Sequence, residues 1–203
     1  MEKNLNHEES LSLINEMILR TQNNVKKGQG NILIFIGYLT TVLALIHSFI
    51  WLVFKQPGAG SFVWILMIPA YIVINYFERR TNREKRIKTH IDKINATLWL
   101  GYSISVFIFL STIFTISIKF EIESVLLLCT PVILIMVGMA QFSTACIYRS
   151  KMWYAIATLF WTSAIACIFI NVKMHLIIFA ICMILGYVVP GYLLNYKAKQ
   201  NHV

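Results

Sequence analysis

Six long apolar runs dominate the chain, at 31–54, 61–77, 97–118, 124–147, 153–172 and 174–195, and none contains an Asp, Glu, Lys or Arg. A helix needs about 20 apolar residues to cross a bilayer, with a range of roughly 17–25. All six runs fit, the second at the short end. They are continuous rather than alternating, which argues against transmembrane strands. Only 13% of the 203 residues are charged, against about 25% in a soluble domain. Lipid must therefore act as part of the solvent. The expected fold class is an all-α integral membrane bundle of six transmembrane helices in three hairpins.

Positive charge orients the bundle. Lys and Arg collect on the cytoplasmic side of membrane proteins. The N-terminal segment carries Lys3, Arg20, Lys26 and Lys27. The second loop carries Arg79, Arg80, Arg83, Lys85, Arg86, Lys88 and Lys93. The fourth carries Arg149 and Lys151, and the tail Lys197 and Lys199. Six spans put these fifteen residues on one side and Lys55, Lys119 and Lys173 on the other. Both termini are then cytoplasmic. Removing one span would scramble the division. Trp51 and Trp64 flank the first outer loop, and Tyr76, Trp99, Tyr148, Trp153 and Tyr196 stand near inner boundaries, where amphipathic rings settle.

Residues 1–30 are a polar cytoplasmic preface, and 196–203 form a cytoplasmic tail. From Glu8 to Lys27 the preface reads as an amphipathic helix. Leu11, Ile14, Ile18 and Val25 share one face, widened by Leu13 and Met17. Glu8 and Glu9 at its start and Lys26 and Lys27 at its end complement the helix dipole. Gly28 and Gly30 terminate it. The first apolar run is 24 residues long, beyond the 7–15 of a signal-peptide core, so a retained anchor is expected. The net charge of +9 is read as topology rather than nucleic-acid binding, since no stripe of Arg and aromatic residues accompanies a soluble domain.

Chemistry-bearing residues are few. All nine carboxylates lie outside the six runs, which counts against proton- or sodium-coupled transport. His47 is the one histidine well inside a run, about 10 Å from its outer end at 1.5 Å per residue. A neutral imidazole bonded to a nearby Ser, Thr or carbonyl outweighs a titrating or ligand-binding one. His175 starts the sixth run, and Glu121 and Glu123 occupy the third loop. With His47 they could form an outer carboxylate–imidazole cluster, though none has metal spacing such as H-x-x-x-H. Gln141, with Gly138 before it and Ser143 and Thr144 after, suits helix packing better than substrate contact. His47, Gln141, Glu121, Glu123 and His175 are the candidate ligand-binding set. Arg79, Arg80, Arg83, Lys85, Arg86 and Lys88 are candidates for docking lipid headgroups or a partner.

Pro69, Pro131 and Pro190 interrupt three even-numbered runs and predict kinks. Cys129, Cys146, Cys167 and Cys182 sit in apolar runs and read as reduced packing residues. No phosphate-binding glycine loop, nucleophile elbow or zinc-protease motif is present. No catalytic set, metal site or cofactor is therefore expected. Pro69-Ala70-Tyr71 with Asn75-Tyr76, and Pro190-Gly191-Tyr192 with Asn195-Tyr196, hint at repeated hairpins.

Three stretches carry a resemblance: Ile184 to Asn195 (ILGYVVPGYLLN), Glu9 to Ile18 (ESLSLINEMI) before the first span, and Val137-Gly138-Met139-Ala140 followed by a short basic turn and Trp153. Together they resemble a group of small multi-pass bacterial membrane proteins whose genes often neighbour a winged-helix regulator. The resemblance implies six helices, a bacterial inner-membrane location and a regulatory setting. It transfers no catalytic residues. The expected function is a non-enzymatic sensing, regulatory or partner-binding membrane protein. Its expected partners are membrane lipids and a cytoplasmic or membrane protein, with a homo-oligomer also open. A small-molecule or lipid transporter subunit is the alternative, and a membrane enzyme acting on a lipid or quinone comes third.

Overall fold

A computed structural model describes residues 29–55, 58, 60–70, 72–73 and 90–200. The expected N-terminal amphipathic helix, the end of the second apolar run, the basic set Arg79, Arg80, Arg83, Lys85, Arg86 and Lys88, and the last three residues of the tail lie outside the described residues. Within them the chain is all-α, with no strand.

The helices follow the apolar runs. α1 spans Gln29–Phe54. α2 spans Ser61–Ala70 and begins as a 3-10 helix over Ser61–Leu66. α3 spans His90–Phe120. α4 spans Cys129–Tyr148 after a 3-10 turn at Glu123–Leu128. α5 spans Lys151–Phe169. α6 spans Val172–Gln200. Five of the helical stretches are long and apolar enough to cross a membrane: Gly30–Phe54, Lys93–Phe120, Ser124–Tyr148, Lys151–Phe169 and Val172–Gln200. The described part of α2 is shorter than that limit.

Helix ends fall where the chain can turn. Lys55, Glu121 and Arg149, just past α1, α3 and α4, take φ values of 57°, 54° and 49°. This left-handed conformation ends a helix by redirecting the backbone. The turn into α6 is set by Asn171, whose side chain accepts from the Lys173 N–H at 3.1 Å. α3 starts seven residues before the apolar run it contains. Its first turns carry Lys93 and Asn95, polar residues that a hydropathy boundary excludes but a helix accepts.

Pro131 is the third residue of α4 and stands at the change from the 3-10 turn to the α-helix, within the continuous stretch Ser124–Tyr148. Pro190 does act inside a helix. Residues Ile184–Val188 just before it widen into a π-turn, and the Val189 N–H reaches the Ile184 carbonyl. A proline ring clashes with the carbonyl four residues back, here Gly186, and the wider turn relieves that crowding.

α1 and α6 run antiparallel at very close range. Gly30 meets Gly191 and Asn195 at one end, Gly37 meets Tyr187 and Val188 in the middle, and the Thr41 hydroxyl reaches the Ala180 carbonyl at 3.4 Å. Small residues permit this approach. A methyl group on Gly37 would lie 2.6 Å from Val188 Cγ2 and 3.1 Å from the Val188 backbone nitrogen. Asn195 donates to Asn31 across the same pair at 2.7 Å. α4 and α5 form a second tight hairpin. Trp161 of α5 donates to the Ile135 carbonyl of α4 at 3.2 Å, and its ring leans on Phe142 at 5.5 Å.

Between these pairs lies one core. Leu134 and Val137 of α4, Ile156 and Phe160 of α5, and Phe179, Met183 and Tyr187 of α6 are all buried there. α3 rests mainly on α4 and turns most of its length outward. Phe107 is 72% and Ile118 78% exposed. In a soluble protein such a helix would be an aggregation hazard; in a bilayer lipid tails cover it.

Candidate functional site

His47 lies at the end of the bundle where α1 meets α2. Gly60, just before α2, lets the chain pass over the imidazole; a methyl there would fall 2.9 Å from His47 Cγ. One turn later the Trp64 indole donates to His47 Nδ1 at 3.0 Å. Indole Nε1 only donates, so Nδ1 must be unprotonated and the ring neutral, with its proton on Nε2. The Trp64 ring also meets Phe179 of α6 edge-on at 5.8 Å. His47 and Trp64 thus tie three helices together. A neutral imidazole matches the sequence expectation, but its donor is an indole rather than a hydroxyl. Trp64→Phe should lower stability by about 1–3 kcal/mol, because it deletes the bond and leaves a buried nitrogen without its donor. Thermal unfolding of the purified protein in detergent checks this; an unchanged midpoint would show that the indole bond contributes nothing.

His175 begins the regular part of α6 and is buried. Its Nε2 lies 2.8 Å from the Cys167 carbonyl. That carbonyl is among the last four of α5, which have no partner within their own helix. A carbonyl only accepts, so Nε2 carries the proton. His175 therefore caps α5, while its Nδ1 is buried without a hydrogen-bond partner. Glu121 is exposed at the turn after α3, and the Glu123 side chain lies outside the described residues. Among the described residues no three His, Cys, Asp or Glu side chains converge as metal ligands would. The four cysteines are free thiols; Cys167 and Cys182 are buried, Cys129 is half-buried and Cys146 is exposed.

Gln141 sits at the polar centre of the bundle. It is 1% exposed on the buried face of α4, with Leu134, Val137 and Thr144. Thr144, one turn on, is well served. It accepts from the Trp99 indole of α3 at 3.2 Å and shares its proton between the Ala140 carbonyl at 2.9 Å and the Asn95 amide oxygen at 3.2 Å. Gln141 is not. Both its amide oxygen and its amide nitrogen are buried without a hydrogen-bond partner. The Tyr187 hydroxyl, from the π-turn of α6, approaches the amide, and the Tyr102 hydroxyl of α3 lies within electrostatic reach of Tyr187. The approach falls short of hydrogen-bond geometry. An unmade bond of this kind costs about 1–3 kcal/mol.

Tyr102 also borders a cleft of about 200 Å³ between α3 and α4, shared with Leu98, Ser105, Met136, Met139, Ala140 and Ser143. Trp99 stacks edge-on to Tyr102 at 5.4 Å. Of the candidate set, the structure thus places Gln141 at an interior polar junction and gives His47 and His175 separate helix-tying contacts. Tyr102 and Tyr187 were not singled out from the sequence as site residues, and Trp64 was read only as an interfacial ring flanking the first outer loop. Each is an aromatic in an apolar run, and only the packing of distant helices reveals its polar use.

Among the described residues the chain is all-α, built around a tight α1–α6 pair and an α4–α5 hairpin, with five helices long and apolar enough to be compatible with a multi-pass membrane protein. Compared with known proteins, it matches no family model, no curated protein and no solved structure.

Proposed function

We propose that this chain is a six-span membrane protein, with both termini on the cytoplasmic side, that works by sensing and by holding a partner rather than by catalysis or transport. The observation that carries the reading is the dry core. Phe160 and Leu134 are 0% exposed, and Val137 and Cys182 are nearly so, so the space a solute would cross is filled by side chains. A transporter of alternating-access type keeps a central site and a path to it. The six-span count rests on the second apolar run, 61–77, completing α2. The orientation rests on fifteen of eighteen basic residues falling on one side.

The partner contact is assigned to the cytoplasmic face. By its sequence pattern the segment from Glu8 to Lys27 would carry an apolar stripe as a helix, and the stretch with Arg79, Arg80, Arg83, Lys85, Arg86 and Lys88 is dense in positive charge. The loop suits anionic headgroups, at about 1 kcal/mol per basic residue near the surface. The stripe suits a protein groove. Bacterial origin and a regulatory setting follow from the resemblance described above.

Mild-detergent purification followed by mass spectrometry tests the reading, comparing the full chain with one lacking residues 1–27. A protein that co-purifies stoichiometrically with the full chain and is lost on truncation is the expected result. Equal recovery of every partner from both chains would sink the assignment to the N-terminal segment. A chain recovered alone from both, with solute flux in liposomes, would replace the whole reading with transport.

A further inference from the structure

The unpaired amide of Gln141 has a consequence for binding. Its oxygen and nitrogen are both buried and both lack a partner, although Thr144 one turn away has three. Polar groups within the hydrocarbon region must find partners inside the protein or in a ligand. Three helices bring uncharged hydrogen-bonding groups toward this point: Gln141 from α4, Tyr102 from α3 and Tyr187 from the π-turn of α6. π-turns are frequent at functional sites, because they re-aim side chains and loosen the backbone ladder. Tyr102 packs against the buried cluster that holds Tyr187 and also lines the α3–α4 cleft.

We propose that Gln141, Tyr102 and the α3–α4 cleft form a binding site for a neutral, lipid-soluble molecule bearing a carbonyl group. The carbonyl accepts from the Gln141 amide or the Tyr102 hydroxyl, and the apolar body lies along Leu98, Met136 and Met139. The chemistry of the walls selects this class. No Asp, Glu, Lys or Arg stands among the residues of the junction or the cleft, so a charged ligand would be buried unpaired. The Gln141 amide nitrogen and the Tyr102 hydroxyl can both donate, and a ligand carbonyl is the group that accepts from either. Methionines supply a flexible, polarisable wall. Met139 is 66% exposed, so the cleft opens on the outer surface of the bundle, the side from which a lipid-soluble molecule arrives. At about 200 Å³ the cleft is below the roughly 300–1,000 Å³ of sites that enclose a whole drug-sized ligand. It holds a ring or a headgroup, with any chain left in the membrane. A membrane quinone and the ester end of a neutral diacylglycerol share this chemistry.

The site rests on the membrane placement proposed above but not on the identity of the protein partner. Its test therefore uses the full chain alone. The protein is placed in phosphatidylethanolamine–phosphatidylglycerol nanodiscs and titrated with a short-chain ubiquinone, with diolein as competitor. Quinones quench indole emission, and Trp99 stands 5.4 Å from the Tyr102 ring. A saturable quench is expected above the linear one caused by partition into lipid. Gln141→Leu should raise its midpoint at least tenfold, and Tyr102→Phe severalfold, while Ser103→Ala, exposed on α3, leaves it unchanged. Diolein that displaces the quinone would assign the site to ester lipids as well; a quench that diolein leaves intact would assign it to quinones. Linear quenching alone with no diolein binding, or an equal midpoint in Gln141→Leu, would overturn the proposal. Unfolding of the ligand-free variants supplies an independent readout. Gln141→Leu should keep or raise the unfolding midpoint, because the amide it removes is unpaired. A clear drop would mean that the amide is satisfied by the protein's own fold, and the site would be lost.

Discussion

Leucine in place of Gly191 should force α1 away from α6 and lower the stability of the bundle by about 3 kcal/mol or more. Even a methyl group at this position would lie 2.7 Å from the Gly30 carbonyl oxygen, 2.7 Å from Ile34 Cγ1 and 3.1 Å from the Ile34 backbone nitrogen. Two of those three atoms are backbone, which cannot rotate aside as a side chain does. The helices must therefore separate, and the separation reaches other contacts of the pair. The Asn195–Asn31 bond lies one turn away, and the Gly37–Val188 contact lies two turns along α1. Gly101 of α3 supplies the matched comparison. A methyl group there meets nothing within 4 Å, so Gly101→Leu should shift the midpoint little. Unfolding of both variants in detergent, followed by circular dichroism or resistance to protease, checks the contrast. Equal losses in the two would mean that helix propensity, not the α1–α6 crossing, decides stability.

Phe160→Ala is expected to be nearly as damaging, at about 3–5 kcal/mol. Phe160 is 0% exposed. It meets the Tyr187 ring edge-on at 6.1 Å and packs on Gly186, where an added methyl would lie 2.6 Å from Phe160 Cε2. Truncation leaves a cavity between α5 and α6 that neither helix can fill without moving. Lipid does not offset the loss, because it cannot reach the core. Phe107→Ala should behave differently. Phe107 is 72% exposed on α3, and in a membrane lipid tails would take the place of the missing ring. The expected change there is under about 1 kcal/mol, since lipid tails are as apolar as the side chain they replace. The comparison should be made in nanodiscs. A Phe107→Ala loss as large as that of Phe160→Ala would place α3 against protein instead.

Much of the architecture was readable from residue order, with local exceptions of known cause. The apolar runs located all six described helices, and the break between α5 and α6 falls at Ile170–Asn171, two residues before the expected one. α3 starts seven residues before its apolar run, because a hydropathy boundary marks where polar residues begin and helices extend past it. Pro131 was read as an interruption and stands where the 3-10 turn passes into α4. Its position relative to the helix start depends on the 3-10 turn before it, which apolar residues such as Val125 to Leu128 do not reveal. The candidate site was legible in part. Gln141 stood out as a rare amide in an apolar run. Trp64 as the donor to His47 did not, because the contact joins residues 17 apart on two helices.

By itself, the sequence determined that this chain forms long apolar helices of a kind that lipid can surround. Long uncharged runs can satisfy their backbone groups in that medium only as helices or closed barrels, and continuous apolar runs exclude the barrel. Tertiary structure alone decided which helices touch and which polar groups are left over. Lipid and side chains are equally apolar, so hydrophobic pattern cannot choose a helix's neighbours. Shape chooses them, through Gly30, Gly37 and Gly191 on one pair and Trp161 on the other. The same shape decides that Thr144 finds Trp99 and Asn95 while Gln141, one turn away, finds no partner.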